Sequence, residues 1–182
     1  MRPSFLALVS VVVLACGVAG STIAGIPTPS ADRGPEDALS VTQSVAGSGV
    51  HFFTTSMIHS KELTDSGMIQ RSTDIVELSG DLKGRVLYHP TSVFDFVKGT
   101  LVNTGHQVFS GTILGSAPVM IHDDGFRFEV NLNTGTESGE VHLSDRIAGP
   151  KVRCDLVIVG TGTKTAEGNP IVDYSGTCTF KN

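Results

Sequence analysis

The side chains with the most chemistry in this chain are three cysteines, six histidines and two tyrosines. Cys154 and Cys178 stand apart from Cys16, and an even pair in an oxidising compartment reads as a disulfide. Left as thiols, the two would be small buried hydrophobes. Cys16 closes Val12-Val13-Leu14-Ala15-Cys16-Gly17, a loose bacterial lipobox with Val13 where leucine is usual, and is the lipidation candidate. In a discarded signal it would be an ordinary small apolar residue. His51, His59, His89, His106, His122 and His142 occur singly, with no His-x-His or His-x-x-x-His pair. A metal site would need assembly across strands, and neither a metal nor a cofactor is expected. In His122-Asp123-Asp124-Gly125 the carboxylates and imidazole could ligate a cation or exchange protons. Such a run reads first as a solvated turn whose aspartates cap their own backbone. Gly160-Thr161-Gly162-Thr163-Lys164-Thr165 lacks phosphate-loop spacing, and no helix follows to aim amides at a phosphate. The chain has no Gly-x-Ser-x-Gly elbow. The motifs therefore identify no catalytic residue.

The elements that must position these residues begin with an export signal over residues 1–20. Met1-Arg2 supplies a short positive start, and Phe5 to Ala15 is apolar or small throughout. Val18-Ala19-Gly20 then places small residues at signal-peptidase spacing. The run is too short to span a bilayer. Residues 21–49 read as a flexible polar tether. They hold Pro27, Pro29 and Pro35, and Asp32-Arg33-Gly34-Pro35-Glu36-Asp37 has no apolar face. The expected product is secreted or held in the cell envelope, touching a membrane only through a lipid on Cys16.

Composition narrows the partners. Arg2 is the only charged residue before Ser21, so the formal charge of −5 becomes −6 once the signal is removed. A mildly acidic chain with 13 Lys and Arg residues against 18 Asp and Glu has no footprint for nucleic acid and no polybasic patch for anionic lipid.

From Val50 to the end the period is two, which predicts a single all-β domain over 50–182. Phe126-Arg127-Phe128-Glu129-Val130-Asn131-Leu132 alternates apolar and polar side chains, one face on a core and one in water. Glu140-Val141-His142-Leu143-Ser144 repeats the pattern after a turn-rich stretch, so the two read as a hairpin. Further β-rich runs centre on 50–55, 75–78, 85–88, 100–102, 108–114 and 118–121. The turn signals between them are Gly80-Asp81, Gly84, Asn103-Thr104-Gly105, Asp123-Asp124-Gly125 and Ala148-Gly149-Pro150. About eight to ten short strands with tight turns mean an antiparallel barrel or, as the alternative, a sandwich. The many glycines favour the barrel, whose sharply curved sheet needs them inside.

The last hairpin has a definite register. Cys154, Leu156 and Ile158 share one face of the strand 152–160, and Tyr174, Cys178 and Phe180 share one face of 172–180. Setting Cys154 opposite Cys178 puts Leu156 against Gly176, Ile158 against Tyr174 and Gly160 against Val172. The loop then falls on Thr163 to Asn169, where Gly168-Asn169-Pro170 supplies turn chemistry.

Val157-Ile158-Val159-Gly160-Thr161-Gly162, followed by Tyr174-Ser175-Gly176-Thr177, resembles the closing strands of the dirigent and allene-oxide-cyclase barrels. The resemblance covers about the last thirty residues. It implies an eight-stranded antiparallel barrel of calycin type. The catalytic carboxylates, arginines and tyrosines of those families have no aligned positions, so it carries over no cyclase or stereocontrol activity.

If Phe126, Phe128, Val130, Leu132, Val141, Leu143, Leu156 and Ile158 face inward, the interior is apolar. It is then either packed solid or hollowed into a small cavity, with Tyr88 and Tyr174 as polar handles. Neither version assembles an obvious acid/base pair. Three functions follow: a barrel binding an apolar small molecule or a partner, a cyclase- or isomerase-like enzyme using the cavity, and a purely structural or interaction domain. A charged group aimed into the lumen would favour the enzyme.

Overall fold

The structure is a computed structural model and describes residues 39–181. The expected signal, Cys16 and most of the expected tether lie outside the described residues. Ten strands follow in order: β1 Ser40–His51, β2 Met57–Thr64, β3 Gly67–Gly80, β4 Leu82–Asp95, β5 Thr100–Ile113, β6 Val119–Asn131, β7 Glu137–Leu143, β8 Asp145–Ala148, β9 Lys151–Lys164 and β10 Pro170–Lys181. A single 3-10 turn, Phe53–Thr55, separates β1 from β2.

Eight strands close into an antiparallel barrel in the order β1-β10-β9-β7-β6-β5-β4-β3. Closure comes from β1, which pairs with β10 along its length and with β3 over Gly47–His51. A sandwich would leave that seam open. Two strands lie outside the ring, β2 on the first half of β3 and β8 on Met120–His122 near the start of β6.

The domain starts earlier than its composition suggests. Ser40 to Gly49, expected as tether, is already strand. Its serines and glycines hide the alternation, but Val45, Gly47 and Gly49 are the inward positions. A side chain on Gly47 would collide with the Tyr174 ring and the Ser79 carbonyl, so this seam requires glycine.

Several expected turns are not turns. Asn103-Thr104-Gly105 lies within the 14-residue β5, and Gly84 lies within β4. Asp123-Asp124-Gly125 is a bulge inside β6, where the register with β5 shifts between Gly105 and Gln107. Runs read separately as 100–102 and 108–114 are thus one strand, as are 118–121 and 126–132. Internal glycines let long strands coil around a narrow barrel, and in sequence they look like chain reversals.

The C-terminal hairpin forms in the expected register. Cys154 pairs with Cys178, Leu156 with Gly176, Ile158 with Tyr174 and Gly160 with Val172. The cysteines are disulfide-bonded, with Cα atoms 4.1 Å apart at a sequence separation of 24. In the chain-entropy model a loop of that size stabilises the fold by about 3.5 kcal/mol.

Strand direction sorts the interior into two ends. The starts of β1, β4, β6 and β9 meet the ends of β5 and β10 around the disulfide. There Leu82, Phe109, Ile113, Ile121, Cys154 and Cys178 are completely buried and fill the barrel. The other end is hollow.

Candidate functional site at the open end of the barrel

A cavity of about 120 Å³ opens in the second half of the lumen. Its floor and walls are Val76, Val86, Phe126, Val141, Leu156 and Ile158, all at inward positions of their strands. This is near the roughly 150 Å³ of an apolar cavity that admits one benzene ring. Phe126 is only 5% exposed and meets Tyr88 edge to face at 5.7 Å. Inward Phe126 and outward Arg127, paired with Glu129, follow the alternation read from the sequence. Leu132 departs from it. It lies beyond the end of β6 and is 39% exposed.

Polar groups gather at the cavity mouth. The Tyr88 hydroxyl on β4 is hydrogen-bonded to His51 Nε2 at the end of β1, at 2.6 Å. The same nitrogen lies 3.5 Å from Asp74 Oδ1 on β3. A phenol, an imidazole and a carboxylate thus meet around one proton position. Asp74, 4% exposed, also accepts hydrogen bonds from Ser56 Oγ and from Ser72 Oγ, the latter at 2.5 Å. Burial pushes its carboxyl up, but the hydrogen bonds from His51, Ser56 and Ser72 outweigh it and hold the group below the ordinary aspartate value. The Tyr88 phenol goes the other way. Burial first, then the charges of Asp74 and Glu137, raise it well above its usual value and keep it protonated. Glu137, at the start of β7, packs over Gly160, and partial burial raises its carboxyl.

The expectation that no acid/base pair would assemble is therefore corrected. His51, Asp74 and Tyr88 come from three strands, far apart in sequence. The alternation argument was built on Phe126–Leu132, Val141–Leu143 and Leu156–Ile158, runs whose inward residues are apolar. On β3 and β4 the inward series runs through Ser72, Asp74, Tyr88 and Ser92, and no local spacing signals it.

The two tyrosines part company. Tyr88 presents its hydroxyl at the mouth. Tyr174 turns its ring to the cavity, but its hydroxyl accepts the Leu82 N–H at 2.7 Å and donates to the Ser79 carbonyl at 3.0 Å. It fastens the β3–β4 turn and is not a handle for a ligand. That place falls to Asn103, an inward residue of β5 whose buried Oδ1 has no hydrogen-bond partner among the described residues. A buried, unpaired amide oxygen is costly to leave without a hydrogen-bond donor.

The 3-10 turn that follows His51 is braced from one side. Thr54, in the 3-10 turn, donates its N–H and its hydroxyl to Asn169 Oδ1 at 3.2 and 2.9 Å. Asn169 is itself 4% exposed, so the turn is pinned to the β9–β10 loop. Phe53 lies edge-on to His51.

Asp123 is buried inside the barrel and is not a solvated turn residue. It does cap its own backbone, taking the Gly125 N–H at 2.8 Å. Its other oxygen accepts from Gln107 Nε2 and from the His142 N–H, both at 2.9 Å. That carboxylate bridges the stretch of β6 that neither β7 nor β8 pairs with. Asp124 is exposed. The other histidines face outward. His142 pairs with Asp155 at 2.9 Å, while His59, His89, His106 and His122 line up on one flank.

Compared with family models, with curated proteins and with solved structures, the chain finds no match in any of the three.

Proposed function

We propose that the barrel is an exported carrier or sensor of a small, largely apolar molecule bearing one hydrogen-bond donor. The observation that carries this is the unpaired Asn103 amide oxygen inside an apolar cavity. The walls supply hydrophobic contact with a ring-sized body, and Asn103 selects a hydroxyl or amine over a bare hydrocarbon. The Cys154–Cys178 disulfide is compatible with an oxidising compartment, which supports secretion or anchoring through Cys16. The resemblance of the closing strands to dirigent and allene-oxide-cyclase barrels also favours a lumenal site.

Phenol has the matching shape and chemistry and serves as the probe. Titration followed by NMR should show phenol shifting resonances of Phe126, Val141 and Leu156, with benzene binding at least tenfold more weakly. Asn103→Leu should erase the preference for phenol. Absence of lumenal shifts with either compound would refute the reading.

A second reading rests on the meeting of Tyr88, His51 and Asp74 at the cavity wall: proton transfer to and from a bound molecule, as an isomerase or cyclase requires. Incubation with a small-molecule extract separates the two. A compound retained unaltered supports binding. A compound replaced by an isomer of equal mass, in wild type but not in His51→Gln, supports catalysis.

A further inference from the structure

The outer flank of the barrel carries one polar residue on each of six neighbouring strands. His59 on β2 is hydrogen-bonded through Nε2 to Thr73 Oγ1 on β3 at 2.7 Å. The same hydroxyl is bonded to His89 Nδ1 on β4 at 2.8 Å. The His89 ring faces His106 on β5, its direct cross-strand partner, with ring centroids 4.8 Å apart. His106 in turn lies 5.8 Å from the ring of His122 on β6. His122 Nδ1 is 3.9 Å from Asp145 Oδ2 on β8, again a direct partner in register. The two strands outside the ring, β2 and β8, bound this row at either end.

His89 and His122 are each approached at Nδ1 by a polar side chain, and His106 between them is not. Thr73 occupies Nδ1 of His89, and Asp145 stands beside Nδ1 of His122. Both rings are left with Nε2 free. That is the arrangement of a metal-binding histidine, whose second nitrogen is oriented by a hydroxyl, carbonyl or carboxylate. Among the described residues no three such side chains already converge on one point. The cross-strand pair supplies two ligands, and His122 is the nearest third.

We propose that His89 and His106, flanked by His122, form a surface site for one divalent transition-metal ion of the Zn²⁺, Ni²⁺ or Cu²⁺ type. Imidazole nitrogens suit these borderline ions, while the absence of a carboxylate between the rings disfavours Ca²⁺ and Mg²⁺. The site lies outside the lumen and is independent of what the cavity holds.

The test is a titration of the full disulfide-bonded protein with Zn²⁺ alone by calorimetry, with Ca²⁺ as the contrasting ion. One equivalent of Zn²⁺ should bind and Ca²⁺ should not. His106→Gln and His89→Gln should each weaken Zn²⁺ at least tenfold, and Thr73→Val, which removes only the orienting hydroxyl, about tenfold. His142→Gln, an exposed histidine on β7, should leave affinity unchanged. Paramagnetic broadening by Ni²⁺ in the unaltered protein gives a readout free of substitutions and should centre on His89 and His106. Broadening centred elsewhere, or Zn²⁺ affinity that survives both His89→Gln and His106→Gln, would overturn the assignment.

Discussion

Replacing Tyr174 with phenylalanine removes one oxygen atom and leaves the ring, so it tests the closed end of the barrel without opening a cavity. The hydroxyl accepts the Leu82 N–H at 2.7 Å and donates to Ser79 O at 3.0 Å. Tyr174 is 2% exposed and Leu82 is fully buried, so water cannot take the place of the lost oxygen. A buried N–H left without an acceptor costs about 1–3 kcal/mol. At roughly 4 °C per kcal/mol for a domain of this size, the melting temperature should fall by about 4–12 °C. Tyr88→Phe is the matched control. It removes the same atom from the cavity wall, where His51 Nε2 keeps Asp74 Oδ1 as a partner at 3.5 Å and is not left unpaired, and it should cost less than about 1 kcal/mol. Both are read by circular dichroism melts at neutral pH in oxidised protein. A Tyr174→Phe melt within 1–2 °C of wild type, or a Tyr88→Phe loss as large as that of Tyr174→Phe, would mean that the hydroxyl does not hold the β3–β4 turn.

Two further perturbations probe the faces and the mouth. Phe126→Arg should prevent folding, because it puts an unpaired charge among Tyr88, Val141 and Leu156, while Arg127→Ala, on the solvent face of the same strand, should stay within about 0.5 kcal/mol of wild type in a denaturant melt. Asp74 titrates below the ordinary aspartate value in the folded state, so its contribution is present above the unfolded pKa and is lost as pH falls through the folded one. Asp74→Asn should therefore be less stable than wild type at pH 6, with the gap closing below about pH 4; a gap that is constant or widens on acidification contradicts the hydrogen-bond account.

How much of this could be read from the chain follows from how local each signal is. The β9–β10 register was legible because two cysteines, a glycine and a turn sequence all constrain one hairpin, and a slip of one residue would turn every side chain to the wrong face. The inward apolar positions of β6, β7 and β9 were legible for the same reason. The outer strands were not. Every residue of β2 is exposed, so it has no alternation to detect, and β8 is only four residues long. The start of β1 was hidden by glycine and serine, the residues that let it close the barrel against Tyr174. The mouth was the least legible part. His51, Asp74 and Tyr88 touch only because β1, β3 and β4 adjoin at the closure of the ring, and that adjacency is long-range.

The division of the lumen bears directly on which function the barrel can serve. Its closed end has a disulfide, completely buried leucine, isoleucine and phenylalanine side chains, and the Tyr174 hydroxyl fastening a turn. These interactions hold β1, β3, β4, β9 and β10 in one arrangement. The same strands continue to the open end, where they carry His51, Asp74, Tyr88, Ile158 and Val172. The site is therefore built on the continuation of the core strands, and the 3-10 turn that follows His51 is joined to the β9–β10 loop by Thr54 and Asn169. A pocket held this way gains affinity from being preformed, since little side-chain freedom is lost when a ligand fills it. The unpaired Asn103 oxygen in this apolar wall is the observation on which the proposed binding role rests, and the contrast between phenol and benzene in wild type and Asn103→Leu is the measurement that decides it.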